Sequence, residues 1–168
     1  MQKDEQKFLF EKVIEQHRGL LFKVARTYCQ NENDRADLIQ EIMIQLWLSF
    51  HRYNDRYKIT TWIYSISLNV AISFYRKNSI KINDKIPLDE HLSQIAENDK
   101  SESEQQLILL DKFINQLKEI DRALMFLYLE ERNYKEISEI LGISESNVST
   151  KVGRIKESLK QKFATIKN

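Results

Sequence analysis

The scarcity of glycine and proline is the feature that most constrains the fold of this chain. Only three glycines and one proline occur among its 168 residues, too few for the tight turns that a β-sheet protein requires. Residues that favour helices, such as leucine, lysine, glutamate and glutamine, are abundant instead. With 42% hydrophobic and 30% charged residues, the chain has enough apolar material for a core. The sequence therefore predicts an all-α globular fold.

Three amphipathic stretches in the first half of the chain predict a compact bundle. Apolar residues recur at intervals of three and four over residues 4–29, then from a polar break at 30–34 to about residue 50, and again over 60–77. This spacing places them on one face of each helix, and the short joints favour close packing of the three helices. Residues 1–77 are therefore predicted to form a three-helix domain.

A second helical domain is predicted after a linker. Between residues 78 and 103 the periodicity disappears, the only proline (Pro87) occurs and polar residues dominate, so this segment is expected to be a flexible linker. It ends at Ser101 and Glu104, which have the spacing of a capping box before an apolar run. Four further helices are expected within residues 104–168. The predicted fold is thus all-α, with two small helical domains joined by a flexible linker.

The cysteine content and the apolar stretches restrict the surroundings of the chain. A single cysteine, Cys29, excludes an internal disulfide, and the first residues lack the apolar run of a signal peptide. The longest apolar stretch, residues 62–74, is interrupted by serine and asparagine and is too short to cross a bilayer. A cytoplasmic protein without membrane insertion is expected.

The net charge of +1 conceals an uneven distribution of charge along the chain. Residues 1–77 carry 12 basic against 9 acidic residues, residues 78–112 carry 4 against 8, and residues 113–168 carry 10 against 8. Within the last segment the basic excess lies in the final helix, from Lys151 onward. A basic helix of this kind is suited to contact with phosphates. A basic face that is merely solvated is an about equally common explanation of the same pattern.

Residues 134–148 have the pattern of a helix-turn-helix. A short helix is predicted to end at Gly142, which can adopt the left-handed conformation required there, and Ser144 can cap the next helix. In that second helix Val148, Val152 and later apolar residues continue one buried stripe. An ordinary helical hairpin with a solvated outer face is the alternative.

The polar side of this second helix suits the major groove of DNA. Asparagine and arginine can read base edges there, whereas lysine and serine can hold phosphates. The candidate DNA contacts on this side are Ser146, Asn147, Thr150, Lys151, Arg154 and Ser158.

Two ordered sets of motifs resemble the extracytoplasmic-function (ECF) sigma factors of the sigma-70 family. The C-terminal part is similar to sigma region 4 at Tyr134-Lys135-Glu136-Ile137 and Leu141-Gly142-Ile143-Ser144. The N-terminal part is similar to region 2.2 at Asp37-Leu38-Ile39-Gln40-Glu41 and to region 2.3 over residues 62–69. Two such sets at the family's spacing are more specific than either alone. The resemblance implies a factor that binds core RNA polymerase, recognises promoter DNA and directs transcription initiation.

The resemblance also implies a role for each domain. Residues 1–77 correspond to region 2, which binds core polymerase and the minus-10 promoter element, and residues 104–168 correspond to region 4, which binds the minus-35 element. On the third helix Ser65, Asn69, Ile72 and Arg76 are spaced to share one side, which could touch DNA. The resemblance implies that this helix holds the non-template strand of the minus-10 element, and the candidate contacts are Ser65, Asn69, Ser73, Arg76 and Lys77. Its aromatic residues, among them Trp62 and Tyr64, are more often core than platforms for stacked bases.

A second stripe on the second helix points to a protein partner. Asp37, Glu41, Ile44 and Leu48 are spaced to lie on one line opposite the core stripe, with Gln40 at its edge. This face mixes carboxylates with apolar groups, which indicates a docking surface, whereas packing against the first helix or the linker is the alternative. The resemblance implies that the partner is the clamp helices of the polymerase β′ subunit. It also implies contact with the polymerase β flap and control by an anti-sigma factor.

Two other classes of function compete with this interpretation. An enzyme is disfavoured because the three histidines lie in different elements and no phosphate-binding glycine loop or metal-ligand pair occurs. No catalytic, cofactor or metal site is therefore predicted. The second class is a helix-turn-helix regulator that binds operator DNA as a dimer without being a polymerase subunit. The helix-turn-helix of the C-terminal part supports this class equally well. Such a regulator would bind a palindromic duplex by itself, whereas a sigma factor requires core polymerase.

Overall fold

The computed structural model describes residues 2–82 and 100–167, and these residues are almost entirely helical. Within them are eight α-helices, one 3-10 turn at Phe50–Arg52 and no β-strand. In chain order the helices are α1 (Lys3–Gln16), α2 (Arg18–Tyr28), α3 (Glu32–Ser49), α4 (Ile59–Ile82), α5 (Glu102–Asn115), α6 (Glu119–Leu129), α7 (Tyr134–Leu141) and α8 (Glu145–Lys167). None of these eight helices combines the length and the hydropathy needed to cross a membrane. The predicted all-α fold is confirmed.

The first predicted helix, residues 4–29, is interrupted, so the prediction of one continuous helix is wrong. At His17 the backbone leaves the helical conformation (φ −118°, ψ 17°), which separates α1 from α2. The His17 amide donates to the Ile14 carbonyl of α1, and the amides of Leu20 and Leu21 of α2 donate to the His17 carbonyl, so hydrogen bonds link His17 to both helices. Phe10 and Ile14 of α1 belong to the same buried core as the apolar residues of α2, α3 and α4.

The last helix of the N-terminal bundle is longer than predicted. α4 begins at Ile59 and continues to Ile82, five residues beyond residue 77. The segment 78–82 contains no glycine or proline to end the helix, and the Ser79 hydroxyl donates to the Tyr75 carbonyl one turn earlier at 2.8 Å. Residues 83–99, the greater part of the expected linker, lie outside the described residues.

Helix boundaries in the C-terminal bundle follow local capping signals. Ser101 and Asn133 cap α5 and α7, each accepting the amide three residues later, at 3.3 and 2.8 Å. α7 ends at Gly142, which has a φ of 70°, and Ser144 caps α8 by accepting an amide at 3.1 Å. A glycine without a Cβ adopts this left-handed conformation readily. These features confirm the helix-turn-helix predicted for residues 134–148.

α4 lies at the centre of the molecule. It packs against α2 and α3 of its own bundle (α1–α4) and against α6 and α7 of the C-terminal bundle (α5–α8). Tyr64 of α4 is buried at the second contact, where its ring meets that of Phe126 edge to face, with centroids 6.0 Å apart. The two bundles therefore share one continuous apolar core.

Candidate nucleic-acid and protein interfaces

The second helix of the helix-turn-helix, α8, has one buried and one polar side. The apolar stripe predicted from the sequence is buried, at Val148, Val152, Ile155 and Leu159. On the polar side Lys151 is half-buried, and the exposed residues are Ser146, Asn147, Thr150, Arg154 and Ser158. The six candidate minus-35 residues therefore lie together on one side of one helix.

The two cations of this polar side differ in their surroundings. The Nζ atom of Lys151 lies 3.8 Å from Oδ1 of Asp121 in the first turn of α6, so its charge is partly compensated. Arg154 is exposed and forms no ion pair with any residue of the described ranges. Because a guanidinium presents five donors in a rigid fork, Arg154 is the side chain best suited to a base edge.

Two lysines near the basic end of α8 contact the rest of the bundle. Nζ of Lys156 donates to the Tyr128 hydroxyl at 3.1 Å and lies 5.2 Å from the ring centroid. This hydrogen bond raises the pKa of Lys156. Nζ of Lys162 donates to Oε1 of Gln116 at 3.3 Å. The basic excess of α8 therefore serves packing against α6 and the end of α5 as well as any contact with phosphates.

The candidate minus-10 residues lie along α4. Ser65 is half-buried, and the exposed members are Asn69, Ser73, Arg76 and Lys77. Three of these residues (69, 73 and 77) line a groove of about 320 Å³ between α3 and α4, which Glu41 and Gln45 border on the α3 side. The candidate DNA residues of α4 and the candidate polymerase face of α3 therefore adjoin.

More sides of α4 are buried than the sequence pattern predicts. Ile72, which the pattern places on the candidate DNA side, is buried, and so is Tyr64. Trp62 is half-buried, and its ring lies 6.1 and 5.4 Å from those of Phe50 and Tyr53. The prediction for Ile72 was wrong because it assumed a surface helix, which buries a single apolar stripe. Helices of both bundles pack on α4, so a second side of it is buried as well. Tyr64 and Trp62 pack within the protein, the more frequent of their two expected roles.

The outer side of α3 is exposed along its length. On the inner side Leu38, Ile42 and Leu46 are fully buried. The exposed side consists of the candidate polymerase residues Asp37, Gln40, Glu41, Ile44 and Leu48. Ile44 is 53% exposed and Leu48 is 56% exposed. Neither α1 nor any other helix within residues 2–82 and 100–167 covers this face, so the alternative of packing against the first helix does not hold.

The sequence patterns did not predict the position of Arg122 on α6. Its guanidinium carbon lies 4.6 Å from the ring centroid of Tyr75 and 5.4 Å from that of Tyr28, both in the N-terminal bundle. The side chain is 2% exposed, although arginine is rarely buried without a partner. The one available signal was the location of this arginine within an apolar stretch, residues 120–129.

Metal-ligating and nucleophilic side chains are scattered through the described part of the chain. No group of three histidine, cysteine, aspartate or glutamate residues in that part is arranged to hold a metal ion. Cys29 is buried, and burial raises the pKa of its thiol to about 11. A thiol held in its neutral form is a poor nucleophile, so Cys29 serves as a small apolar residue of the core.

Family models match both bundles of this chain in the expected order. The model of sigma-70 region 2 matches residues 13–80, and the model of sigma-70 region 4 matches residues 107–159. Between them the two models cover most of the chain.

Two similar proteins come from Bacillus subtilis (strain 168). The ECF RNA polymerase sigma factor SigM is 25% identical over 151 residues, which cover 89% of this chain and 92% of SigM. The RNA polymerase sigma factor SigZ is 31% identical over 141 residues, which cover 81% of this chain and 78% of SigZ.

Two solved structures share the fold at low sequence identity. CnrH, in complex with the cytosolic domain of CnrY, has a TM-score of 0.68 and 17% identity, covering 95% of this chain and 90% of that chain. The sigma factor RpoE in complex with the anti-sigma factor NepR from Bartonella quintana has a TM-score of 0.67 and 18% identity. The match covers 90% of this chain and 94% of that chain.

Proposed function

Because the chain belongs to the ECF branch of the sigma-70 family of RNA polymerase sigma factors, we propose that its two bundles divide the recruitment of core polymerase to promoters. The N-terminal bundle, here called region 2 (residues 1–77), binds core polymerase and the minus-10 element. The C-terminal bundle, here called region 4 (residues 104–168), binds the minus-35 element. The observation that carries this division is the exposure of an acidic and apolar face on α3 and of a polar, cationic face on α8.

Region 2 docks on core polymerase through the outer side of α3. Ile44 and Leu48 provide an apolar centre that water can leave on binding. The carboxylates of Asp37 and Glu41 flank this centre and complement basic groups on the partner. The clamp helices of the β′ subunit are the proposed partner of this face, and the β flap is the proposed partner of region 4.

Promoter DNA contacts the two domains in different ways. In region 2, Asn69 and Ser73 offer donors and acceptors in the groove beside α3, while Arg76 and Lys77 offer positive charge to phosphates. In region 4, α8 enters the major groove, where Arg154 reads a base edge and the shorter polar side chains contact the backbone. The factor has no catalytic site of its own and acts in the cytoplasm, where polymerase and DNA are found.

An anti-sigma factor is a further proposed partner. Both structural neighbours were solved as complexes, and in one of them the partner is an anti-sigma factor. The exposed apolar side chains of this chain, Ile44 and Leu48 among them, offer such a partner a surface that polymerase would also need. Binding at this surface would therefore prevent recruitment to polymerase.

A mobility-shift assay with and without core polymerase tests the proposed function. The DNA is a set of fragments that the holoenzyme selects from a random-sequence library. We expect retention of asymmetric fragments only when core polymerase is present, because region 2 and region 4 then act together. Tight binding of a palindromic duplex by the protein alone, unaffected by polymerase, would instead establish a dimeric operator-binding regulator.

A further inference from the structure

An apolar groove lies on the outside of region 2, where α1 and α2 meet α3. It has a volume of about 280 Å³, and none of the residues that line it belongs to region 4. Its floor is formed by Phe10, Ile14 and Leu21, all of which are buried. This groove is distinct from the polar groove between α3 and α4, which the candidate minus-10 residues line.

The walls of the apolar groove carry side chains that a single copy of the chain leaves in water. Phe22 of α2 is 54% exposed and Met43 of α3 is 38% exposed, and both line the groove. A groove of this size is slightly smaller than a pocket for a drug-sized ligand, so it can accept one aromatic side chain. An exposed ring beside an apolar hollow is typical of a contact surface, because docking removes both from water.

The rim of the groove carries charges of both signs. Glu15 near the end of α1 and Arg18 at the start of α2 are exposed and line the groove. Opposite charges three positions apart on one helix usually attract each other, but these two lie on either side of the break at His17 and form no ion pair within the described residues. Glu11, one turn earlier, is already paired with Lys7 at 3.8 Å. Glu15 and Arg18 are therefore available to another molecule.

This combination of features favours a second copy of the chain as the other molecule. In a two-fold dimer a surface meets itself, so it must contain both partners of every contact. The groove meets this requirement, because it has a negative and a positive rim charge and also an exposed ring and a hollow. The docking face of α3 does not meet it, since Asp37 and Glu41 are both negative and two such faces would repel each other.

One two-fold arrangement satisfies both kinds of contact together. When helices cross antiparallel on a two-fold axis, each step forward along one copy is matched by a step back along the other. If Glu15 faces Arg18 of the second copy, the position opposite Phe22 is Glu11, which lines the groove beside Phe10. The ring of Phe22 is then directed to the α1 side of the other copy's groove, and the same contact is made twice.

We propose that the free protein forms a two-fold dimer through this groove, in which Phe22 of each copy fills the groove of the other and Glu15 pairs with Arg18 across the contact. The groove adjoins the docking face of α3, because Met43 lines it and directly precedes Ile44. A second copy therefore obstructs that face, and core polymerase binds the monomer. This consequence rests on the proposed function, whereas the dimer itself does not.

Sedimentation equilibrium of the full-length protein over a range of concentrations tests the dimer. We expect the mass of two chains at high concentration and of one chain on dilution. Arg18→Glu and Glu15→Arg should each raise the dissociation constant about tenfold, because two attractions become two repulsions. Lys135→Glu and Glu139→Arg are the matched controls, since they make the same charge changes at exposed positions of α7, and they should leave the dissociation constant unchanged.

Mixing the two charge variants distinguishes this dimer from any other effect of charge. When the Glu15→Arg protein meets the Arg18→Glu protein, every ion pair across the two-fold axis again joins an arginine to a glutamate. The mixture should therefore dimerise as tightly as the natural sequence, although each variant alone does not. Recovery also shows that both variants are folded. A mixture that stays monomeric rules out the proposed pairing.

The apolar part of the contact is tested by Phe22→Ala. This change should raise the dissociation constant at least about tenfold, because each copy loses a ring that the other buries. Leu129→Ala is the control, since this leucine of region 4 is 50% exposed and should contribute nothing. Helical circular dichroism checks that both variants are folded. Unchanged dimerisation of Phe22→Ala, or an equal loss in both variants, counts against the groove as the contact.

A natural sequence that is monomeric at every concentration up to its solubility overturns the proposal. Weaker co-purification of Phe22→Ala with core polymerase would then assign the groove to polymerase. If the dimer forms, Phe22→Ala should bind core polymerase more tightly than the natural sequence, and equal affinities refute the obstruction of α3. Dimerisation as expected without any binding of polymerase refutes the proposed function and leaves the dimer established.

Discussion

Nζ of Lys151, on the candidate recognition helix, lies 3.8 Å from the carboxylate of Asp121 in the first turn of α6. A DNA phosphate that approaches this lysine must compete with that carboxylate. Arg154, nearly one turn further along α8, has no such competitor within the described residues. The two cations should therefore contribute unequally to promoter binding.

We expect Arg154→Ala to weaken binding of the holoenzyme to a minus-35-dependent promoter by about 1–3 kcal/mol, the usual contribution of a bidentate base contact. Lys151→Ala should cost less, because binding also breaks its pair with Asp121, and Asp121→Asn should strengthen binding. Filter-binding titrations measure all three effects. If neither alanine variant changes promoter affinity while circular dichroism is normal, both side chains lie outside the interface.

The docking face of α3 is tested by the paired change Glu41→Lys with Leu48→Glu. Co-purification with core polymerase should be lost, because the first change reverses a complementary charge and the second buries an unpaired carboxylate. Glu5→Lys with Phe8→Glu is the matched control, since it makes the same charge changes at exposed positions of α1 and should leave co-purification intact. Holoenzyme formation at unchanged affinity by the α3 variant would place the docking face elsewhere.

The turn of the helix-turn-helix should be sensitive to the loss of Gly142. Its φ of 70° is unfavourable for a residue with a Cβ, although no atom lies within 4 Å of the position that a Cβ would take. Gly142→Ala should therefore destabilise the protein by about 1–2 kcal/mol through the backbone alone. Gly153→Ala, within α8 and equally uncrowded, should stabilise it by about 0.5–1 kcal/mol. Thermal unfolding followed by circular dichroism distinguishes the two directions, and a loss of stability in both would contradict this explanation.

Stability should decrease in alkaline solution because of Tyr28. Burial raises the pKa of Tyr28 above its ordinary value of 10.0. Above that value the unfolded chain has lost a proton that the folded chain retains, so the free energy of unfolding falls as pH rises. The contribution is fully present below about pH 10 and is lost as the pH rises through the raised pKa.

Urea denaturation at a series of pH values measures this dependence. The Tyr28→Phe variant keeps a ring against Arg122 but cannot ionise, so its free energy of unfolding should fall less steeply above pH 10. Some dependence of the free energy of unfolding on pH should persist in this variant, because burial also raises the pKa of Tyr64. Identical slopes for the two proteins would mean that Tyr28 retains its ordinary pKa.

Most helix boundaries could be predicted because their signals are local. Asn133 and Ser144 cap their helices through amides three residues away, and Gly142 adopts the conformation that its position after α7 requires. The buried stripe of α8 likewise follows from spacing within one helix. The break at His17 was missed because the apolar periodicity continues through it, with Ile14 and Leu21 buried on either side.

The sequence by itself determined the all-α fold, the helix-turn-helix and the exposed faces of α3 and α8, since each depends on residues within a few turns of one helix. Tertiary structure alone decided that Arg122 is buried between Tyr28 and Tyr75, and that Arg76 pairs with Glu119. These partners lie more than 40 positions apart. From sequence alone, an arginine in an amphipathic helix is expected at the surface. Here the other bundle packs over Arg122, and its aromatic rings attract the buried cation.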